Sequence, residues 1–471
     1  MNQSLEDKIQ EVLYLQKSSL LRLKNSSADE RIEKLRKLQR YMLDHQQELF
    51  DALFQDFRKP SSEVIIAELL GVKREINHMI KHIKSWMKPQ KVSTPLLLMG
   101  TQGHIQYEPK GLCLIIAPWN YPFNLAINPL VHAIAAGNAI ILKPSEMSEH
   151  TSTFIKKMIN ALYDPSDVFC VEGDAQVSTY LLAQKFDHIF FTGSPAIGKV
   201  VMAAAAKHLT SVTLELGGKS PAIVGPTADI ASSVQKIAWG KFLNNGQTCI
   251  APDYVFVHEK VHFQFLAGLE NSIQAFYNSE SKGIEKSNDY ARIVNRKHFD
   301  RIVRLLEDAK AKGAKVIFGG ELNPETNYIS PTVLSNCTMD MAIMQEEIFG
   351  PILPVLTYRS EEEIVDYLSQ EEKPLALYIF SEDKVFTDYI LHHTSAGSSV
   401  VNDCLIQFGH SSLPFGGVNN SGIGRSGGKF GFEEFSHAKA VIVQKTNALR
   451  FFYPPYTLRT KWLIEQVLKW F

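Results

Sequence analysis

The chain has 471 residues, of which 45% are apolar and 21% are charged, so its composition is close to that of an average globular protein. This excludes a disordered, collagen-like or disulfide-scaffold chain. The 49 Lys and Arg residues balance 50 Asp and Glu residues to a formal net charge of −1, which removes the usual electrostatic basis for binding nucleic acid.

The cysteines are odd in number, widely spaced and without a CxxC pair. This predicts reduced thiols in a cytoplasmic protein, with no disulfide framework and no metal site. The most apolar stretch, residues 112–142, is broken by Pro and Asn, so we expect no transmembrane segment. Core packing is the default expectation for four of the five cysteines: Cys113, Cys170, Cys337 and Cys404.

The first hundred residues are predicted to be mostly helical. Ser27 and Glu30 form a capping-box pattern before an apolar repeat, and a second amphipathic run covers residues 64–86. The helical pattern stops near residue 89, and the alternating residues 104–109 indicate part of a strand pair.

From residue 110 onward, short apolar runs alternate with helical ones. This rhythm predicts a mostly parallel, doubly wound α/β sheet, in which ligands bind beyond the carboxyl ends of the strands. The predicted strands of this region are residues 112–117, 139–143, 187–192 and 210–216. The predicted helices between them are residues 123–136, 149–162 and 196–208.

A second α/β region follows. Its predicted strands are residues 254–259, 315–320, 376–380 and 398–402, and its predicted helices are residues 260–278, 296–312 and 382–394. A Gly- and Ser-rich loop then covers 408–428, and 440–445 is a late strand. The last 14 residues, 458–471, form an amphipathic pattern that could cap the fold, pack on a partner subunit or touch a membrane surface.

Two glycine-rich segments resemble phosphate-binding loops. Residues 193–199 nearly match a P-loop, but Val200 stands where a Mg²⁺-binding hydroxyl would be needed, which disfavours a nucleotidase. The segment can still bind an anion at a helix N-terminus, or it can be a tight turn with glycines for steric reasons. Residues 422–427 match GxGxxG, but no strand precedes them, so we interpret this segment as a flexible loop.

Three side chains have the chemistry of a catalytic site. Cys249 lies in a polar turn, where a thiol is accessible, although a lone Cys is more often a buried apolar residue. Glu215 ends an apolar strand, where a carboxylate is either functional or on the solvent face. Asn120 follows a strand and could donate to an oxyanion, although ordinary turn chemistry more often explains an Asn before Tyr-Pro.

Together these segments resemble the aldehyde dehydrogenase superfamily, and within it the class 3 branch that acts on fatty and aromatic aldehydes. The resemblance runs from about residue 15 to 447. It rests on motifs in the family's order: APWNYP (117–122), ILKPSE (141–146), FFTGSPAIGK (190–199), VTLELGGKSP (212–221), GQTCIAPDY (246–254), EEIFGP (346–351), LPFGG (413–417) and NSGIG (420–424).

The resemblance implies a role for individual residues. Cys249 falls at the position of the nucleophile, Glu215 at that of the general base and Asn120 at that of the oxyanion donor. The remaining positions fall in the cofactor site: Trp119 and Gly217, Lys143 and Glu146 at the adenosine ribose, Gly193, Ser194, Pro195, Ala196, Ile197 and Gly198 at the pyrophosphate, and Glu347 and Phe349 at the nicotinamide.

The implied fold has a Rossmann-type dinucleotide-binding domain, an α/β catalytic domain and a small β element that bridges two subunits. The expected boundaries are 1–88 and 110–213 for the first, 214–407 for the second, and 89–109 with 430–446 for the third, followed by a tail at 447–471.

The implied activity is NAD(P)-dependent oxidation of a medium- or long-chain aliphatic or an aromatic aldehyde by a homodimer. NAD is the expected cofactor, since an acidic residue at the ribose favours a 2′-hydroxyl, with NADP as the alternative. An acylating relative, which passes its thioester to another acceptor, and a non-catalytic cofactor-binding homologue are the rival functions. One departure from the class is Asn419, where its members commonly have Gly, and this leaves the local loop conformation open.

Overall fold

The computed structural model describes residues 3–446, 450 and 452–470. It has the predicted α/β fold. Its strands are β1 (Gln90–Val92), β2 (Thr101–Pro109), β3 (Leu112–Ile116), β4 (Ala139–Lys143), β5 (Val168–Cys170), β6 (His188–Thr192), β7 (Ser211–Glu215), β8 (Pro221–Val224), β9 (Tyr254–His258), β10 (Lys315–Phe318), β11 (Leu322–Asn323), β12 (Tyr328–Ile329), β13 (Thr332–Ser335), β14 (Ile352–Tyr358), β15 (Ala376–Phe380), β16 (Ser398–Val401), β17 (Gly422–Ile423) and β18 (Ser436–Gln444).

The α-helices cover most of the remaining chain. They are α1 (Gln3–Lys24), α2 (Ala28–Asp44), α3 (Gln46–Phe57), α4 (Ser61–Glu63), α5 (Leu70–Trp86), α6 (Asn124–Ala136), α7 (Glu149–Leu162), α8 (Ala175–Leu182), α9 (Pro195–Ala206), α10 (Ile230–Phe242), α11 (His262–Tyr277), α12 (Arg296–Ala311), α13 (Ala342–Gln345), α14 (Glu361–Gln370), α15 (Lys384–His393), α16 (Gly428–Glu434) and α17 (Leu458–Trp470). A π-helical turn, Val64–Leu69, joins α4 to α5 without a break.

A six-stranded sheet forms the first α/β region, in the order β17-β7-β6-β3-β4-β5. All its strands run parallel except β17, which is antiparallel to β7. Every residue of β3 and β4 is buried, as expected for strands covered by helices on both faces. The predicted strands and helices of this region are confirmed to within a few residues at each end.

A seven-stranded sheet forms the second region, in the order β10-β13-β14-β9-β8-β15-β16. The sequence analysis identified four of its strands and missed β8, β13 and β14. Two of these are only four residues long, and β14 contains Pro354, a residue that usually argues against a central strand.

A three-stranded antiparallel sheet, β1-β2-β18, lies apart from the other two. Strand β18 begins at Ser436, four residues before the expected start at 440. Its first half was missed because exposed His437 and Lys439 interrupt the apolar pattern. Several large apolar side chains of this sheet and its β1–β2 connection are solvent-exposed: Val92, Leu96, Leu97, Met99, Ile442 and Val443.

The interpretation of residues 422–427 as a flexible loop is wrong in part. Gly422 pairs with Glu215 and Ile423 with Leu214, so the first two residues form β17 at the edge of the six-stranded sheet. The preceding turn contains Asn419 at φ 55°, the left-handed region that a glycine would enter more easily. Asn419 therefore adopts a positive φ itself, which answers the question about the local loop conformation that this departure from Gly had raised.

The carboxy-terminal helix α17 confirms the amphipathic helix predicted there, and the remaining part of the predicted tail at 447–449, 451 and 471 lies outside the described residues. Leu458 and Trp462 are exposed on α17. No helix of the described chain is both long enough and apolar enough to cross a membrane.

Candidate active site

A cavity of about 890 Å³ opens beyond the carboxyl ends of β3, β6 and β7. This is the edge of the sheet at which α/β proteins bind ligands. The cavity wall brings together most of the residues singled out from the sequence: Trp119, Asn120, Gly193, Ser194, Pro195, Ala196, Glu215, Gly217, Cys249, Glu347 and Phe349. Lys143, Glu146, Ile197 and Gly198 are not part of its wall.

Asn120 lies in the loop that joins β3 to α6 and is almost fully buried. Its side-chain Nδ2 donates a hydrogen bond to the backbone oxygen of Gln247 at 3.0 Å, while its own backbone oxygen accepts from Asn244 Nδ2 at 2.9 Å. The amide is therefore fixed against the loop that carries Cys249. A fixed donor of this kind can stabilise an oxyanion without reorganising.

The Cys249 loop is held in an unusual backbone conformation. Asn244 and Asn245 have φ angles of 52° and 56°, and Gln247 bridges the loop to Arg292 and Val294 by hydrogen bonds of 3.0 Å each. Strained backbone of this sort is common at functional sites.

The thiol of Cys249 is half-buried and lies in an electrostatically unfavourable place for a negative charge. Burial, followed by the nearby carboxyl groups of Glu347 and Glu215, raises the pKa of Cys249 to about 12. A thiolate is the reactive form of cysteine, so the thiol needs a proton acceptor or a nearby positive charge to become a nucleophile.

Glu215 is the last residue of β7, and its side chain is buried rather than on the solvent face. No hydrogen bond of ordinary length reaches either carboxylate oxygen from the described residues. Burial raises the pKa of Glu215 to about 8, and the Ser426 hydroxyl and the Arg425 guanidinium offset only part of this. A carboxyl group with such a pKa can act as a general base near neutral pH.

The glycine-rich turn between β6 and α9 has the geometry of an anion site. Pro195, in the first turn of α9, has no N–H, and Ser194 Oγ accepts from the Ile197 N–H at 3.5 Å, so this helix start offers an anion the positive end of the helix dipole and one weakly capped N–H group. A Cβ atom at Gly193 would come within 2.5 Å of the Phe191 ring, and one at Gly198 within 2.7 Å of Leu216. Gly198 is thus required for helix packing, whereas the turn at Gly193 faces the cavity.

Lys143 and Glu146 lie at the carboxyl end of β4. The ammonium group of Lys143 is buried and contacts Glu146 Oε2 at 2.7 Å, while the Glu146 side chain is 40% exposed. The pair stands outside the main cavity, at the strand next to β3.

Glu347 and Phe349 face the cavity from the opposite side. The Glu347 carboxylate is packed so closely on Gly217 that a Cβ atom there would meet Oε2 at 2.3 Å. Phe349 has a φ of 46° and stacks edge-on against Trp119, with ring centroids 5.3 Å apart. Burial, and then the charge of Asp253, raises the pKa of Glu347 to about 8.

Sequence reasoning missed a buried ionic group behind Asn120. The Lys59 ammonium donates to Glu68 Oε1 at 2.7 Å and to the backbone oxygen of Asn120 at 3.1 Å, and both side chains are fully buried. Glu68 also accepts from the backbone N–H of Asn124. Charged residues within the apolar face of the predicted helix at 64–86 were the available signal.

The sequence analysis also missed the mouth of the cavity, because the side chains that line this mouth are far apart in the chain. They are apolar residues from the π-turn, α5, α6 and the segment between β16 and β17: Ile66, Leu70, Leu125, Leu405, Ile406, Phe408 and Phe415. Within the described chain, no group of three or more His, Cys, Asp or Glu side chains could hold a metal ion.

Comparison with known proteins gives the same picture over nearly the whole chain. The model of the aldehyde dehydrogenase family matches residues 3–441. The chain is 45% identical to the putative aldehyde dehydrogenase AldX of Bacillus subtilis (strain 168), covering 94% of this chain and 99% of AldX. It is 42% identical to mouse (Mus musculus) aldehyde dehydrogenase family 3 member B3, covering 98% and 95%.

A solved structure is also closely similar. The substrate-bound state of Staphylococcus aureus AldH superposes with a TM-score of 0.93 at 40% sequence identity, covering 98% of this chain and 99% of that one. The six- and seven-stranded sheets described above are therefore those of a known fold.

Proposed function

The chain belongs to the aldehyde dehydrogenase family, and it is an aldehyde dehydrogenase of the family 3 type; from this premise we propose that Cys249, Glu215 and Asn120 carry out the oxidation of an aldehyde to its carboxylic acid. The overall reaction consumes the aldehyde, water and oxidised cofactor, and it yields the carboxylate, reduced cofactor and two protons. The observation that carries the proposal is the common wall that these three side chains share.

In the first step, the Cys249 thiol loses its proton to solvent, and the thiolate sulfur attacks the aldehyde carbon to form a tetrahedral thiohemiacetal. Its oxygen carries the negative charge, and the Asn120 amide with the backbone N–H of Cys249 would donate to it. Each such donor is worth about 3–4 kcal/mol of transition-state stabilisation.

A nicotinamide dinucleotide, when bound, supplies the hydride acceptor that converts the thiohemiacetal into a thioester. Glu215 then removes a proton from water, which attacks the thioester carbon and releases the carboxylate and the Cys249 sulfur. The buried Glu215 side chain is available for this proton because no hydrogen bond of ordinary length reaches it from the described residues.

The family uses NAD(P), and the fit of this chain to a dinucleotide is supported by its own geometry. The turn at Gly193 has little space for a side chain, and the start of α9 offers the positive end of its helix dipole to a pyrophosphate. We propose Glu146 and Lys143 as the ribose contacts and the 347–349 segment as the nicotinamide side, with Trp119 and Gly217 as its neighbours. Glu146 favours NAD over NADP because a 2′-phosphate would meet its negative charge.

We propose a medium- or long-chain aliphatic or an aromatic aldehyde as the substrate. The mouth of the cavity is lined by apolar side chains from the π-turn, α5, α6 and the segment between β16 and β17. Such a lining stabilises an apolar substrate by roughly 25 cal/mol per Å² of buried surface.

The domain division also remains a proposal. Residues 1–88 with 110–213 would bind the dinucleotide, 214–407 would carry the catalytic cysteine, and 89–109 with 430–446 would bridge two subunits of a cytoplasmic homodimer. Exposed apolar side chains on the three-stranded sheet support the last assignment. For the tail at 447–471, the alternatives are capping of the fold, packing on the partner subunit and contact with a membrane surface.

The test is absorbance of reduced cofactor with purified protein, for NAD and NADP and for aldehydes of increasing chain length, with Cys249→Ala as the control. We expect turnover that vanishes in the variant. Turnover that appears only with an added thiol acceptor would instead favour an acylating enzyme. No turnover with intact cofactor binding would favour a non-catalytic homologue.

A further inference from the structure

A buried ion pair connects the segments that follow the two central catalytic residues. Lys219 stands four residues after Glu215, and Asp253 stands four residues after Cys249. The Lys219 ammonium contacts Asp253 Oδ2 at 2.5 Å, and the two side chains are only 13% and 6% exposed. The chemistry proposed above assigns no role to either residue.

Both members of the pair also bind the backbone of a third segment, residues 343–348. The Lys219 ammonium donates to the backbone oxygens of Ile343 at 2.9 Å and Glu346 at 3.1 Å. The backbone N–H of Ile348 donates to Asp253 Oδ1 at 3.1 Å. An ammonium group has three N–H donors, and here each has an acceptor.

The third segment carries the groups at the proposed nicotinamide side. Glu347 lies between two residues that the pair holds, and Phe349 follows at a positive φ. From the other face, Arg301 donates to the backbone oxygens of Glu347 at 3.1 Å and Ile348 at 2.6 Å. The backbone of this short segment is therefore fixed on two sides, whereas the side chains of Glu347 and Phe349 face the cavity.

We propose that Lys219 and Asp253 are positioning residues. They hold the Glu347–Phe349 segment in a fixed position relative to Glu215 and Cys249, and so fix the nicotinamide ring relative to the reacting thiol. This inference rests on the proposed function of these residues. A buried ion pair is often no more stabilising than apolar side chains of similar volume. We therefore attribute the presence of this pair to the fixed geometry that it gives the neighbouring segment. Hydride transfer is sensitive to that geometry, because a misplacement of about 1 Å can cost on the order of 100-fold in rate.

The three acceptors around Lys219 make its replacement by Arg informative. A planar guanidinium suits a carboxylate, but it cannot direct three N–H groups to three acceptors arranged around one atom. Lys219→Arg keeps the charge, but it should still displace the Glu347–Phe349 segment from its position. Lys219→Met removes the charge at similar length, and Asp253→Asn keeps the shape of the carboxyl group while it weakens the pair.

The experiment compares these variants with Lys34→Met, which breaks the Lys34–Asp167 pair, a partly buried contact that does not line the cavity. Calorimetric titration gives the affinity for NAD, iodoacetamide alkylation without cofactor gives the reactivity of Cys249, and thermal melting reports the fold. Steady-state kinetics then separate the KM for NAD from kcat.

We expect the Kd and KM for NAD to rise by about tenfold or more in all three pair variants, with a lower kcat, because the Glu347–Phe349 segment is displaced. Alkylation of Cys249 should stay close to wild type in all three variants. The melting temperature should stay close to wild type in Lys219→Arg, whereas Lys219→Met and Asp253→Asn leave a buried charge without its partner and should lower it. Lys34→Met should change neither NAD parameter.

Three results would overturn the inference. They are an unchanged affinity for NAD in folded variants, a parallel loss of thiol reactivity and of NAD affinity, and unfolding of both Lys219→Met and Asp253→Asn, which would make the pair a structural brace only. If the wild-type protein oxidised no aldehyde, the proposed function would fail, but the titrations would still report on the positioning role.

Discussion

Asn120 Nδ2 donates to the backbone oxygen of Gln247, two residues before Cys249, at 3.0 Å. The proposed oxyanion donor and the loop of the proposed nucleophile are thus joined by a hydrogen bond in the chain without substrate. One amide N–H is used in this bond, and the second is left for the developing negative charge. The Lys59 ammonium fixes the backbone of Asn120 from behind.

We expect Asn120→Asp to lower kcat by about 10²- to 10³-fold, because a carboxylate of the same shape cannot donate to an oxyanion. Reduced-cofactor absorbance at saturating aldehyde measures this loss. Affinity for NAD and the melting temperature are the controls and should change little. A variant with near-normal kcat would show that the oxyanion is held by backbone donors alone.

The pH dependence of turnover should report the general base. Because burial raises the pKa of Glu215 to about 8, the group is mostly protonated at pH 6 and becomes a base as the pH rises through 8. We therefore expect kcat to rise about tenfold per unit below pH 8 and then level off, where thioester hydrolysis limits the rate.

Glu215→Gln is the matched variant for this profile. It should release one equivalent of reduced cofactor per subunit in a burst and then turn over about 10²- to 10⁴-fold more slowly, since water lacks its base. The rise with pH should also disappear. Retention of the same pH profile in the glutamine variant would assign the titration to another group.

How much the sequence could predict depends on how local each feature is. Cys249, Glu215 and Asn120 lie in short motifs, Glu215 at the end of β7, Asn120 after β3 and Cys249 in the turn before β9, and the cavity wall brings them together. The Lys219–Asp253 pair could not be found in this way, because its partners come from different motifs and meet only in the folded chain.

Strands were missed where a local rule gives the wrong signal. Pro354 lies within β14 and argues against a strand, but the tertiary fold buries this segment between β13 and β9. Similarly, Gly422 and Ile423 resemble a loop by composition, and only their pairing with β7 shows that they form an edge strand next to Glu215.

Cofactor preference can be tested at Glu146. Its carboxylate is 40% exposed and paired with Lys143, so it can meet a ribose without being buried. Glu146→Gln should raise the ratio of kcat/KM for NADP to that for NAD by about tenfold, since about 1.4 kcal/mol of repulsion against a 2′-phosphate is removed. Glu149→Gln, an exposed residue in the first turn of α7, is the control and should leave the ratio unchanged. An unaltered ratio in Glu146→Gln would show that another residue selects the cofactor.

The last prediction tests the proposed role of the three-stranded sheet as a bridge between two subunits. Ile442 on β18 is 65% exposed, and a β-branched apolar side chain in that position is stabilised if a second subunit covers it. We expect Ile442→Glu to shift sedimentation from the mass of a dimer toward that of a monomer, because a charge would be buried at the interface. Val316→Glu places the same charge on β10, an exposed edge strand of the seven-stranded sheet, and should leave the mass unchanged. A dimer that persists in Ile442→Glu at micromolar concentration would place the subunit contact elsewhere on the molecule.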